Sequence, residues 1–226
     1  MDTSFQQHNR SNRSAFLMRA YGHLFAAVGL FVAVQYFLFG SGLAFTIATK
    51  MLAVPWLAIL GAFMVVGWLA SRTAHRAESY TVQYLALVGF VIAEAFLFLP
   101  LLFIAQAIAP GVIGSAALLT FIGFVGLTAI AWTERLDFSF LGSILKWLGV
   151  VAIIAIVGSF VFGFELGVWF SVGMVAFAGA AILYDTSNIL HHYPEDRYVA
   201  AALELFASIA LMFWYLLRML MSFSSD

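Results

Sequence analysis

The sequence predicts an all-α membrane protein: a seven-transmembrane helix bundle, with the N-terminus cytoplasmic and the C-terminus on the opposite side. Three observations predict it. The 226-residue chain is 64% hydrophobic and 9% charged, with a mean hydropathy of +1.03. Its apolar residues fall into runs of about 20, the length a helix needs to cross a bilayer. Its few cations alternate in side as those runs are crossed in turn.

Such a composition cannot cover a soluble globule with polar groups, which excludes a water-soluble enzyme. It equally excludes a disordered chain, which needs low hydrophobicity and high charge. Ten Lys and Arg residues against eleven acids leave a net charge of −1, so no nucleic-acid-binding surface is expected. There are no cysteines, which excludes disulfides and thiol chemistry. An outer-membrane barrel would alternate apolar and polar residues along strands of about ten, and this chain does not.

The elements follow in order. The chain is polar through about Asn12 and carries Arg10, Arg13 and Arg19. The run behind them has no small-residue cleavage site, so it reads as an uncleaved first span near 20–40. Leu43 to Met51 is apolar but too short to cross, as an interfacial helix is. Further spans lie near 55–71, 81–104, 112–132, 144–163, 168–190 and 198–220, separated by short polar breaks. The domain plan is a cytoplasmic tail at 1–19, a membrane domain at 20–222 and a short tail at 223–226. With the N-terminus inside, eight cations lie inside (Arg10, Arg13, Arg19, Arg72, Arg76, Arg135, Lys146, Arg197) and two outside (Lys50, Arg218). That bias requires an odd number of spans and so supports seven.

An ionisable residue inside a span costs about 2.5–3.5 kcal/mol on insertion scales and asks for a reason. Asp185 lies nine residues before Pro194 and Glu204 ten after it, so a helical hairpin places both at similar depth. Two neighbouring carboxylates repel and share protons, which lets them sense pH or hold a cation. The plainer alternative is that each reaches water or a helix cap at the headgroups. Arg72 ends the second span on the same side, either as a partner for Asp185 or as an ordinary anchor. Glu94 is mid-span, six residues before Pro100, which loosens a helix and frees carbonyls. It suits a proton or cation path, or a protonated carboxyl bonded to a neighbouring helix. His191 and His192 sit beside Glu195 and Asp196, but adjacent histidines at a helix end point apart. No zinc-protease motif, nucleophile elbow or phosphate loop occurs, so no enzyme is expected, and with no lysine in the last span a retinal Schiff base has no attachment point.

Several segments together resemble the Bax inhibitor-1 family. The strongest is Ile182-Leu183-Tyr184-Asp185-Thr186 in span six. Others are Asp137-Phe138-Ser139-Phe140-Leu141, Glu94-Ala95 followed by Pro100, Phe16-Leu17-Met18-Arg19-Ala20-Tyr21, and Tyr198 through Leu220. The resemblance implies a bundle with a central span wrapped by the others, and a pH-sensitive calcium leak. It implies a proton-sharing pair of aspartates on spans six and seven, one latched by an arginine on span two. Asp185 matches the first aspartate and Arg72 is the best match for the arginine. Ser208 stands where the second aspartate belongs, and Leu211 where an asparagine belongs. Glu204 lies one turn before Ser208 on the same helix face and is positioned to supply the missing carboxylate.

The expectation is therefore a passive Ca²⁺ leak with Asp185 as proton sensor. Asp185 and Glu204 would form a weak, transient Ca²⁺ site, and no resident cofactor is expected. The alternative is a non-conducting regulator of a membrane-bound AAA protease or another stress-protective partner, acting through the N-terminal tail and the His191–Arg197 loop. The expected surroundings are a lipid bilayer, that of a bacterial inner membrane or, as the other option, of an organelle. No oligomeric state is implied.

Overall fold

The structure, a computed structural model, describes residues 3–133 and 137–224. They form eight helices and no strand: α1 Thr3–Gly40, α2 Leu43–Leu52, α3 Trp56–Arg76, α4 Tyr80–Ile108, α5 Val112–Thr133, α6 Leu141–Phe162, α7 Val168–His191 and α8 Tyr198–Ser224. All but α2 are long and apolar enough to cross a membrane, which makes seven spans. The predicted spans and the short helix fall where these elements are. Of the helices that outrun the expectation, two bear on the site. α1 begins at Thr3, so the polar segment before the first span is helical from there on, and α3 continues to Arg76, one turn past Arg72.

Local chemistry sets the breaks. Gly163 closes α6 in the left-handed region at φ 71°, its N–H on the Ser159 carbonyl at 2.9 Å. Glycine takes that conformation without a Cβ penalty. Pro55 precedes α3 and contributes no N–H that the helix start would leave unpaired. Pro100 does not interrupt α4, which runs through it. The Gln35 amide from α1 donates to the neighbouring Ala95 carbonyl at 2.7 Å, anchoring α1 to α4 at that loosened turn.

The centre of the bundle is α8. It packs against α1, α3, α4, α5 and α7, so the central span that the family resemblance implies is the last one. Lipid tails are as apolar as leucine, so spans associate through close packing and polar contacts, not through escape from water. Ala200, Ala201 and Ala202 are fully buried, and Ser208 and Ala210 nearly so, letting neighbouring backbones approach. By contrast, α6 packs chiefly on α7. It docks there because Gly142 has no side chain: a Cβ at that position would meet the Tyr184 ring at 2.7 Å.

Alternating helix direction gathers Arg13, Arg72, Arg76, Lys146 and Arg197 at one end of the bundle, here the basic end. Lys50 and Arg218 lie at the opposite end, and Arg135 lies outside the described residues. At the basic end Arg197 donates to the Ala77 carbonyl at 2.6 Å and Gln83 to the same oxygen at 2.9 Å. These bonds tie the α3–α4 turn to the α7–α8 loop.

Candidate functional site

Asp185 and Ser208 meet across the α7–α8 hairpin. The Ser208 hydroxyl donates to Asp185 Oδ2 at 2.6 Å, with Ser208 buried and Asp185 half-buried. Glu204, expected at the same depth as Asp185, is not its hydrogen-bonding partner. Side chains lean toward the N-terminus of their own helix, and α7 and α8 run in opposite directions. Asp185 leans away from the basic end and α8 side chains lean toward it. The carboxyl therefore meets the residue one turn further along α8.

Glu204 turns instead to α3. The Ser71 hydroxyl donates to Glu204 Oε1 at 2.5 Å, and His75 Nδ1 lies 3.8 Å from the same oxygen. His75 Nδ1 is 2.9 Å from the Ser71 carbonyl, and Nε2 is 2.9 Å from the Tyr193 hydroxyl. A carbonyl only accepts, so Nδ1 carries the proton in the neutral ring and Nε2 accepts from Tyr193. Burial pushes the Tyr193 phenol up, and Glu204, Asp185 and Tyr184 add to it. Tyr193 therefore remains a neutral donor at any physiological pH.

Arg72 stands apart from this cluster. It is exposed, with its guanidinium 5.1 Å from the Trp68 ring centroid, and forms no ion pair among the described residues. One residue is about 100° of helix. With Ser71 turned to α8, Arg72 points away. The cation fixed at the end of α7 is Arg13. Its guanidinium donates to the carbonyls of Ile189 (2.5 Å), Tyr193 (2.6 Å) and Leu190 (3.2 Å). Ile189 and Leu190 lie in the last turn of α7, whose carbonyls a helix end leaves without partners and where a cation is favoured, and Tyr193 follows two residues past it.

Glu94 is 5% exposed, and no donor or cation reaches it among the described residues. It lines a cavity of about 840 Å³ that runs beside α8 between α3 and α6. The cavity reaches Ser71, Glu204 and Ser208 toward the basic end, and Glu165 and Arg218 toward the other. It thus links Glu94, Glu204 and Ser208, with Asp185 joined through Ser208, and leaves Arg72 out. Among the described residues no three His, Asp or Glu side chains gather as metal ligands.

A separate clasp holds the loop before α6. Asp137 Oδ1 accepts from the Ser139 N–H at 2.9 Å and from the Ser187 hydroxyl at 3.4 Å, while Ser187 accepts from the Phe138 N–H at 2.9 Å. His192 Nε2 lies 3.4 Å from Asp137 Oδ2. The Ser139 N–H, more than the nearby histidines, holds the Asp137 carboxyl below its usual range.

The sequence profile described as "Inhibitor of apoptosis-promoting Bax1" matches residues 13–225. The chain belongs to the Bax inhibitor-1 family. A Golgi anti-apoptotic protein of vaccinia virus is 29% identical over 211 residues, covering 92% of this chain and 85% of its own. Mouse protein lifeguard 4 is 27% identical, over 74% of this chain and 68% of its own. An uncharacterized protein of Neisseria meningitidis is 32% identical over 56% of this chain, and the match spans 57% of that relative's length.

As a family member the chain is a multi-span integral membrane protein. Its Asp185 keeps a hydrogen-bonded partner on the last span, and that partner is a serine hydroxyl. Three residues of the cluster escaped sequence reasoning: Ser71, His75 and Tyr193. The available signal was Ser71-x-x-x-His75, a pair on one helix face, hidden beside the more conspicuous charge of Arg72. Arg13 was legible only as one cation among those of its side.

Proposed function

We propose that this protein passes cations, Ca²⁺ foremost, down their gradient, with protonation of Asp185 setting the open fraction. The observation that carries this reading is the cavity beside α8, which bears carboxyl groups at both ends and at mid-depth. Ca²⁺ takes six to eight oxygen ligands. The basic end offers two carboxyls and two hydroxyls within one turn (Asp185, Ser208, Glu204 and Ser71), so water must supply the rest. A site of that strength suits passage better than storage. With Ser208 in place of an acid, Asp185 has a donor and no like charge hydrogen-bonded to it, so one carboxyl and not a pair carries the proton response. By the positive-inside rule the basic end faces the cytoplasm. A bacterial inner membrane is the proposed location, in keeping with the Neisseria relative.

The test is Ca²⁺ flux into dye-loaded liposomes, stepped from about pH 8 to about pH 6, the range over which physiological switches titrate. Wild-type flux is expected to change with pH, Asp185→Asn to flatten the response, and Ser208→Ala to displace it. A wild-type flux no greater than that of empty liposomes sinks the leak.

A second reading is favoured by the vaccinia relative, whose name is anti-apoptotic and which matches nearly the whole chain. In it the protein is a non-conducting protective regulator, and a membrane AAA protease meeting its basic end is the partner we propose. Deleting residues 1–12 then abolishes protection while leaving ion flux unchanged. A leak protein shows the reverse.

A further inference from the structure

We propose that the cavity beside α8 binds an amphiphilic organic cation, an amine or onium group on an apolar body, with Glu94 as its counter-ion. The inference shares its cavity with the leak reading but does not require that any ion pass through it. It starts from a carboxyl that is 5% exposed, lines a cavity, and has no hydrogen-bond donor or cation among the described residues. A buried polar group without a partner is costly, and at mid-membrane its usual explanation is a ligand or a conducted species.

The walls around Glu94 say which ligand. They are aromatic: Phe63, Phe90, Phe98, Trp56 and Trp214 line the same cavity. Trp214 stands edge-on to Phe98 at 5.0 Å and stacks on Trp56 at 5.5 Å. Ring faces attract a cation and accept an apolar body, most strongly away from water. A bare Ca²⁺ needs six to eight oxygens, and the hydroxyls of Ser71 and Ser208 belong with Glu204 and Asp185 near the basic end. An anion is disfavoured by Glu94 itself. The volume, about 840 Å³, falls within the ~300–1,000 Å³ of small-molecule sites.

The route in follows from the packing. α3 packs on α4 and α8, and α6 chiefly on α7, so the two helices flank the cavity from separate sides. The opening faces the bilayer, where an amphiphile concentrates before it binds.

The experiment uses tetraphenylphosphonium, whose charge is independent of pH. Its binding to the full chain in nanodiscs is measured by equilibrium dialysis, with empty nanodiscs subtracted. Saturable binding is expected, with Kd raised about tenfold or more by Glu94→Gln, the scale of a desolvated cation contact. Glu165→Gln, at the exposed rim of the same cavity, leaves Kd within about twofold. Phe63→Leu retains the charge and removes a partly exposed ring that lines the cavity, and raises Kd about threefold even if Glu94→Gln fails to fold. Unchanged Kd in both Glu94→Gln and Phe63→Leu overturns the proposal. So does the absence of saturable binding above empty discs.

Discussion

The helices α6 and α8 are both long, apolar and free of breaks, yet they hold opposite places in the bundle. The most apolar stretch of α8 is 67% buried inside the protein, and that of α6 is 0% buried. Of the two, α6 is the more apolar. In a bilayer, apolarity does not draw a helix inward, because lipid rewards it equally. Small side chains and paired polar groups do. On α8 they are Ala200, Ala201, Ala202 and Ser208, with Glu204 bonded to Ser71. On α6, Val150, Ile154, Val157 and Val161 all face outward.

The largest test of this contrast is a matched truncation. Leu205→Ala, at a fully buried site on α8, is expected to cost about 2–5 kcal/mol. Ile154→Ala, 64% exposed on α6, is expected to stay within about 0.5 kcal/mol. Reversible unfolding in mixed micelles measures both, and equal losses break the comparison.

A smaller effect concerns how each helix is held at the basic end. Arg13→Ala removes the three bonds that close α7 beside α8 and should cost about 1.5–3 kcal/mol, the range for charged hydrogen bonds. Arg13→Lys should recover only part, since an ammonium cannot reproduce the guanidinium fork. Lys146→Ala, at the exposed foot of α6, should be silent in the same assay. A Lys146 loss as large as that of Arg13 ends the distinction.

The smallest effect is the clasp at the foot of α6. The Asp137 carboxyl titrates lower in the folded protein than in the unfolded chain. Its contribution is therefore present above the unfolded carboxyl pKa of about 3.9, and is lost as pH falls through the lower folded value. Thermal unfolding of wild type and Asp137→Asn should differ slightly at neutral pH and converge in acid. Divergence in acid would reverse the sign and refute the clasp.

These contrasts show what sequence reading reaches. Asp185, Glu204, Glu94 and Ser208 were legible because charge within a span, or a departure from a family motif, stands out against an apolar background. Ser71, His75 and Tyr193 were not. A serine and a histidine near a helix end look ordinary until the rotation of α3 about its own axis is known. Of the two roles open to Arg72, its exposed place beside Trp68 fits the ordinary anchor, since a one-residue difference in facing sends a side chain to lipid or to α8.

The sequence by itself determined the number of spans, the short helix between the first two, the gathering of cations at one end and the family. These depend on residue type and spacing along the chain. Only the tertiary structure decided that Asp185 meets Ser208, that Glu204 meets Ser71, that Arg13 closes α7, and that Glu94 faces an aromatic cavity without a partner. Those depend on the rotation and axial offset of packed helices, which hydropathy does not encode because lipid and protein interior are alike to an apolar side chain.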